Sequence, residues 1–200
     1  VNFTNHSYFN LNGHVASDVS NHAVRINGSK YVDVDSQLIA TGKLLDVENT
    51  LFDFRTAASL GPRLHEKEIK ENKATNGGYD HTFLIDDTLA KSDEGGLKLA
   101  AEATTGAKGR TLRVYTDMPA VHLYTGNFLD NTNGKAGAKY GKHQGFCLEC
   151  ENLPNAINLE GKEGVDTAFK PIIVGPSKAY KGTIVFDFSS VARLGGPGGP

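Results

Sequence analysis

Short runs of alternating apolar and polar residues, separated by Gly, Asn and Asp, fill most of this 200-residue chain. Alternation at period two is typical of strands with one buried face, and clusters of Gly, Asn and Asp are typical of turns. The pattern therefore predicts a mainly β protein. The predicted strands cover 1–11, 23–26, 30–35, 38–42, 43–47, 83–85, 97–104, 110–116, 121–125, 146–151, 171–174 and 183–188.

The connections between these strands carry several local predictions. The Asn-Gly pair at 27–28 predicts a β-hairpin between the strands 23–26 and 30–35, and the runs 38–42 and 43–47 predict a short strand pair. Residues 57–62 predict one helical turn that Gly61 and Pro62 end, and the charged run 65–75 predicts a solvated surface helix or loop. His14 and His22 lie in polar, turn-rich sequence, so we expect both to be exposed.

The stretch 145–158 holds the first candidate for chemistry. In a strand over 146–151, Glu149 and Glu151 share one face with Cys147, and Pro154 ends the ladder because it has no N–H to donate. A carboxylate between apolar neighbours has its proton affinity raised by desolvation, as a general base near neutral pH requires. The alternative is a solvated strand face that carries Glu without a role.

Cys147 and Cys150 form a C-x-x-C pair, which raises the question of a disulfide or a zinc site. Positions three apart on a strand point to opposite faces and lie roughly 10 Å apart, beyond disulfide reach. The sequence contains no second Cys pair to complete a zinc site. We therefore expect two reduced thiols, with Cys150 packed as a small apolar residue, and a reducing compartment such as the cytoplasm.

A strand over 1–11 would have one apolar face and one hydrogen-bonding face. The apolar set is Val1, Phe3, Phe9 and Leu11, and the polar set is Asn2, Thr4, His6, Tyr8 and Asn10. Such polar groups suit sugar hydroxyls, and His6 is the side chain best suited to move a proton at neutral pH. The alternative is an exposed strand face.

The stretch 76–86 holds a second acid and a second imidazole. The Gly pair at 77–78 delivers Asp80 and His81 to the start of a strand, where adjacent residues diverge and only one of them enters a given pocket. No ligands here have the spacing of a recognised metal motif, so we expect no metal site.

Composition excludes several classes of protein. The chain has 38% hydrophobic residues, 22% charged residues and a net charge of -2, which is ordinary for one soluble domain with a core. This charge gives no case for binding nucleic acid or an anionic membrane, and no apolar run is long enough to span a bilayer. We expect one domain over 1–190 and a disordered Gly/Pro tail over 191–200.

Several motifs, in order, resemble the signatures of the aldose 1-epimerases, the galactose mutarotases. The matching stretches are NHSYFNL at 5–11, GYDH at 78–81, YTD at 115–117, YTGNF at 124–128, GFCLE at 145–149 and LPNA at 153–156. The segments 34–35, 39–42 and 52–55 match the intervening pattern in the same order. The resemblance covers nearly the whole chain before its tail.

The resemblance implies a β-supersandwich, mostly antiparallel, with a sugar-binding groove on its concave side. It also implies the interconversion of the α and β anomers of hexoses such as galactose and glucose, without metal or organic cofactor. By motif match Glu149 is the base and His6 is the acid. Asp80, Asn5 and Tyr8 match positions that hold the sugar.

Departures from the family pattern leave a second hypothesis open. The family's N-terminal part, with an arginine and a further histidine, has no counterpart here, so we expect a fold incomplete at its N-terminus, completed by a missing segment or a second chain. Glu151 replaces a neutral residue, and would raise the proton affinity of Glu149 if both are buried. The second hypothesis is a non-catalytic sugar-binding or regulatory relative. The third is a structural β domain.

Overall fold

The computed structural model describes residues 1–15, 17–90, 95–105 and 109–190. The strands are β1 (His22–Ile26), β2 (Lys30–Val34), β3 (Ala40–Asp46), β4 (Ala58–Ser59), β5 (Asp80–Leu84), β6 (Lys98–Thr105), β7 (Arg110–Thr116), β8 (Ala120–Tyr124), β9 (Thr132–Asn133), β10 (Lys139–Tyr140), β11 (Cys147–Glu151) and β12 (Ile184–Ser190). The helices are short: α1 (Leu60–His65), α2 (Lys67–Lys70), α3 (Ala156–Leu159) and a 3₁₀ turn at Lys135–Gly137.

Ten of these strands form two five-stranded sheets in which every neighbouring pair is antiparallel. The first, which we call the site sheet, has the order β11-β8-β5-β2-β3, and the second, the back sheet, has the order β12-β7-β6-β1-β4. β9 and β10 form a separate two-stranded ribbon. The prediction of a mainly β, mostly antiparallel fold is confirmed.

The main core lies between the two sheets. Val24 and Ile26 of the back sheet and Phe83, Leu123 and Leu148 of the site sheet belong to one buried apolar cluster. Successive side chains on a strand alternate between faces. The sequence neighbours of Phe83, Leu123 and Leu148 therefore point to the other face of the site sheet. A second cluster, which includes Leu153 and Phe169, covers part of that other face.

The predicted hairpin at 27–28 is wrong, because the chain crosses there from one sheet to the other. β1 pairs with β4 and β6, whereas β2 pairs with β3 and β5. The Asn27 side chain donates to the Leu99 carbonyl at 2.7 Å, and a Cβ on Gly28 would lie 2.7 Å from the Leu84 carbonyl oxygen. Asn and Gly thus serve a close crossing rather than a hairpin turn.

Three other local predictions are corrected. The two strands predicted over 38–47 are the single strand β3. It passes the predicted break at Gly42, which has a φ of 94° and lies beside the register shift in the pairing of β3 with β2. Gly61 and Pro62 lie in the first turn of α1 instead of ending a turn, and Pro is tolerated there because the first turn's N–H groups have no helical partner. Residues 171–174 form no strand, and the Ile172 carbonyl instead accepts a hydrogen bond from the Val1 amino group.

The N-terminal predictions are also corrected in part. Residues 1–11 are not a ladder-forming strand, since their bridge to a neighbouring strand is the single pair Phe9 and Phe146. His14 is exposed as predicted, but His22 is fully buried, where it accepts from the Leu11 N–H at 2.9 Å and burial lowers its pKa.

None of the helices among the described residues is long and apolar enough to cross a bilayer. The predicted tail at 191–200 lies outside the described residues.

Candidate active site

The N-terminal segment 1–9 runs antiparallel along the edge of β11 and is fixed at both ends. At one end the Asn2 side chain accepts from the Asn152 N–H at 2.9 Å and donates to the Asn152 carbonyl at 3.0 Å. At the other end Phe9 and Phe146 exchange two backbone hydrogen bonds of 2.8 and 3.0 Å. His6, between these two attachments, is therefore held against the face of β11 that carries the carboxylates.

His6 and Glu149 form the central pair of the site. His6 Nε2 lies 3.4 Å from Glu149 Oε1, and the carboxylate side chain is only 10% exposed whereas the imidazole is 51% exposed. Cys147 Sγ lies 3.4 Å from the other ring nitrogen, Nδ1. Burial raises the pKa of the Cys147 thiol well above its usual range, so the thiol keeps its proton and can donate it to Nδ1. Of the neutral tautomers, this favours the one whose Nε2 proton faces Glu149.

The proton affinity of Glu149 is set by burial and by its charged neighbours. Burial raises its pKa, and the Asp80 carboxylate adds to that rise, while His122 and His6 oppose it. The Asp80 carboxylate therefore acts on Glu149 in addition to Glu151, the acid expected from the sequence. Like-charge repulsion is mutual, and burial, with a smaller contribution from Glu149, raises the pKa of Glu151 as well.

Asp80 and His81, at the start of β5, diverge as predicted. The Asp80 side chain enters the site, where its Oδ1 lies 2.7 Å from His122 Nε2. His81 points into the core, with its ring centroid 4.7 Å from that of Phe52, and burial lowers the pKa of His81 to about 4. His81 is thus a neutral core residue.

Sequence analysis missed His122 as a site residue. In the register of the site sheet, His122 of β8 lies directly between Glu149 of β11 and Thr82 of β5. Its parity with Tyr124 was readable from the alternation in 121–125, but its carboxylate neighbours come from strands distant in sequence. No local signal separates this histidine from one on a solvated face.

The aromatic rings of Tyr8 and Tyr124 lie beside His6, and Asn5 shapes the backbone next to it. The ring centroid of Tyr8 lies 5.1 Å from that of His6 and 6.1 Å from that of Tyr124. Burial raises the pKa of Tyr8 to about 12, so its hydroxyl stays protonated. The Asn5 side chain accepts from the Ser7 N–H at 3.1 Å, which shapes the turn that presents His6.

His6, Cys147 and Glu149 also place three potential metal-ligand atoms within 4.8 Å of one another. A cysteine ligates metals as a thiolate, and the raised pKa of the Cys147 thiol opposes that form. Metal binding at this trio would have to release that proton, whereas proton transfer between His6 and Glu149 requires no such step.

A cavity borders the segment 1–9 at Ser7, Tyr8 and Phe9. It has a volume of about 650 Å³, and its walls include Tyr8, Tyr140 and Phe188 but neither His6 nor Glu149. The acid and base groups accordingly lie outside this cavity.

The sequence of this chain matches one family of known proteins over most of its length. The family model for aldose 1-epimerase matches residues 1–171. The galactose mutarotases of Rattus norvegicus and Homo sapiens are 42% and 40% identical over 190 residues, which is 94% of this chain and 50% of each relative. The aldose 1-epimerase of Escherichia coli K12 is 40% identical over 159 residues, or 79% of this chain and 43% of the relative.

Solved structures agree with this comparison. A GalM/aldose epimerase homologue from C. elegans matches with a TM-score of 0.74 at 24% identity, covering 96% of this chain and 52% of that one. Galactose 1-epimerase from Lactobacillus acidophilus matches with a TM-score of 0.70 at 26% identity, covering 94% and 48%. These likenesses confirm the expected galactose mutarotase-like β-supersandwich. The chain spans about half the length of the curated relatives it matches.

Proposed function

The chain belongs to the aldose 1-epimerase family, and from that premise we propose that it interconverts the α and β anomers of aldohexoses such as galactose and glucose. The observation that carries this proposal is the pair His6 and Glu149, whose Nε2 and Oε1 atoms lie 3.4 Å apart where the segment 1–9 meets β11. An exchange of anomers needs one acid and one base across a single sugar ring, and no change of oxidation state.

The proposed reaction begins when the Glu149 carboxylate takes the proton of the anomeric hydroxyl. The electron pair of that O–H bond forms the carbonyl as the bond between C1 and the ring oxygen breaks. The ring oxygen takes the Nε2 proton of His6 in its imidazolium form, which leaves a neutral imidazole ring. The open-chain aldehyde then rotates about its C1–C2 bond. Closure on the other face reverses both transfers, so that each residue recovers its starting protonation state.

The exposures of the two groups support these roles. Burial raises the pKa of Glu149, which brings a carboxylate closer to the proton affinity of an efficient base near neutral pH. The half-exposed ring of His6 leaves its edge accessible to a sugar.

We propose that Asp80, Tyr8 and Asn5 hold the sugar hydroxyls. Asp80 Oδ1 binds His122, which leaves the second carboxylate oxygen to accept from a hydroxyl. The hydroxyl of Tyr8 stays protonated and half exposed beside His6, so it is a donor at the edge of the pair. The exposed Asn5 lies next to His6 in sequence, and its amide nitrogen offers two further donors.

We also propose that a further segment or a second chain completes the sugar site, since the relatives are about twice as long as this chain. The edge strand β12 carries Phe188, 58% exposed, beside the ring of Phe9, and such an apolar edge suits a covering partner. The two free, buried thiols support the proposal that the protein is located in a reducing compartment such as the cytoplasm.

Polarimetry of freshly dissolved α-galactose tests the proposed roles. We expect the protein to accelerate equilibration, and Glu149→Gln and His6→Gln each to lose about 10²- to 10⁴-fold of that acceleration, the range that acid/base groups supply. Glu163→Gln and His65→Gln, which change exposed residues of the same types, are the matched controls. Equal rates for Glu149→Gln and Glu163→Gln would remove Glu149 from the mechanism.

A further inference from the structure

A second group of ionisable side chains lies beside the proposed acid/base pair, and His122 is at its centre. His122 Nε2 lies 2.7 Å from Asp80 Oδ1, and His122 Nδ1 lies 2.8 Å from Thr82 Oγ1. Thr82 Oγ1 in turn lies 3.0 Å from Glu151 Oε1. The chain of contacts Asp80, His122, Thr82 and Glu151 therefore joins two carboxylates through one imidazole and one hydroxyl.

The hydrogen-bond roles in this chain depend on where the protons are. If both acids are ionised, the Thr82 hydroxyl donates its one proton to Glu151 and must accept from His122 Nδ1. Asp80, as a carboxylate, accepts from Nε2. Both ring nitrogens then carry protons, which makes the ring a cation.

The alternative places one proton on Glu151 and leaves the imidazole neutral. It is disfavoured by the charges that face the ring: Asp80 from β5, and Glu149 and Glu151 from β11, with the neutral His81 on the opposite face of β5. Burial alone would lower the pKa of His122, but Asp80, Glu151 and Glu149 together raise it above its ordinary value. One cation among three carboxylates is the arrangement with the better electrostatic balance.

We propose that His122 is a positioning residue, an imidazolium clamped between Asp80 and the Thr82–Glu151 pair, which orients Asp80 and supplies the positive charge that keeps Glu149 a free carboxylate. The catalytic consequence rests on the proposed function, whereas the charge state of the ring stands apart from it. Glu151 and Thr82 act through His122 in this account and do not touch the sugar.

The charge state is tested by NMR of the histidine side-chain nitrogens in the full chain across a pH series. We expect the His122 ring to show two bound protons at pH 7, and to lose one with a midpoint above the ordinary value near 6.5. Glu151→Gln and Thr82→Val should each lower that midpoint, and Glu163→Gln should leave it unchanged. A neutral His122 ring at pH 7 in the unmodified protein would overturn the proposal, as would a midpoint that neither variant moves.

The positioning role is tested by the pH profile of anomer exchange in His122→Gln, an uncharged variant that still offers donors. We expect the acid limb of kcat/KM to move to higher pH, because Glu149 loses a neighbouring cation, and KM to rise about tenfold as Asp80 loses its partner. A purely structural role would lower activity without moving the limb, and that result would contradict us. If no variant and not even the unmodified chain accelerates exchange, the proposed function fails while the NMR result still decides the charge of His122.

Discussion

At the scale of single residues, this protein shows how one strand position decides the chemistry of a histidine. His81 and His122 lie on neighbouring strands, and the pairing of Thr82 with His122 places the two rings on opposite faces of the site sheet. His81 meets Phe52, Tyr31 and Tyr79 and stays neutral. His122 meets carboxylates, which raise its pKa.

The neutral His81 predicts a specific loss of stability in acid. Its pKa is lowered from 6.5 to about 4. Between these pH values the unfolded chain therefore binds a proton at His81 that the folded chain does not bind. The stabilising effect is full above pH 6.5 and is lost as the pH falls toward 4, by roughly 3 kcal/mol at 1.36 kcal/mol per unit. We expect His81→Phe to reduce this loss in urea unfolding at pH 7, 5.5 and 4.5, with the exposed His65→Gln as control. An unchanged loss in His81→Phe would refute the assignment.

The site residues also divide into those that sequence could predict and those it could not. The shared face of Glu149 and Glu151 follows from the period of a strand. The closeness of His122 to Glu149 depends on the pairing of β8 with β11, which no local pattern encodes. Motif resemblance singled out His6, Asp80 and Glu149, but it passed over His122.

At the scale of elements, the errors of prediction arise where one local sequence pattern is compatible with two backbone geometries. An Asn-Gly pair fits a hairpin turn, and at 27–28 it fits an equally tight crossing between sheets. Residues 1–9 have the alternation of a strand but follow β11 with a single backbone bridge, at Phe9. In both cases the partner of the segment, rather than its own composition, determines the element.

The element that presents Asp80 depends on a close approach at Gly78. Thr125 Oγ1 accepts from the Tyr79 N–H at 2.9 Å and donates to Asn127 Oδ1 at 2.6 Å, and the Asn127 amide donates to the Tyr79 carbonyl at 2.8 Å. A Cβ on Gly78 would lie 1.9 Å from Asn127 Oδ1 and 2.7 Å from Thr125 Oγ1. Gly78 thus leaves space for the buried polar network that fixes the residue before Asp80.

We expect Gly78→Ala to destabilise the protein by about 1–3 kcal/mol, the usual cost of overpacking, and to weaken sugar binding through Asp80. Gly175→Ala is the matched control, because a Cβ at Gly175 meets nothing within 4 Å. The measurement is urea unfolding of the two variants side by side. Equal free energies of unfolding for Gly78→Ala and Gly175→Ala would show that the hydrogen-bond network of Thr125 and Asn127 accommodates the added methyl group without cost, and would contradict this account.

At the scale of the whole molecule, two antiparallel sheets bury a shared core, and the outer face of one of them carries the ionisable cluster. The alternation of apolar and polar residues predicted the mainly β class, and ordered motifs predicted the family that the match over residues 1–171 shows. The order of the ten strands in the two sheets was beyond sequence reasoning, because it depends on pairings between strands far apart in the chain.

The central claim is that Glu149 and His6 exchange the anomers of an aldohexose. Its most direct measurement is two-dimensional exchange NMR on galactose at equilibrium, where α and β are both present and only their rate of interconversion is read. We predict that the protein raises this rate above that of buffer and that Glu149→Gln returns it close to the buffer value. A folded protein that leaves the rate at the buffer value, or a Glu149→Gln variant as fast as the unmodified chain, would contradict the account.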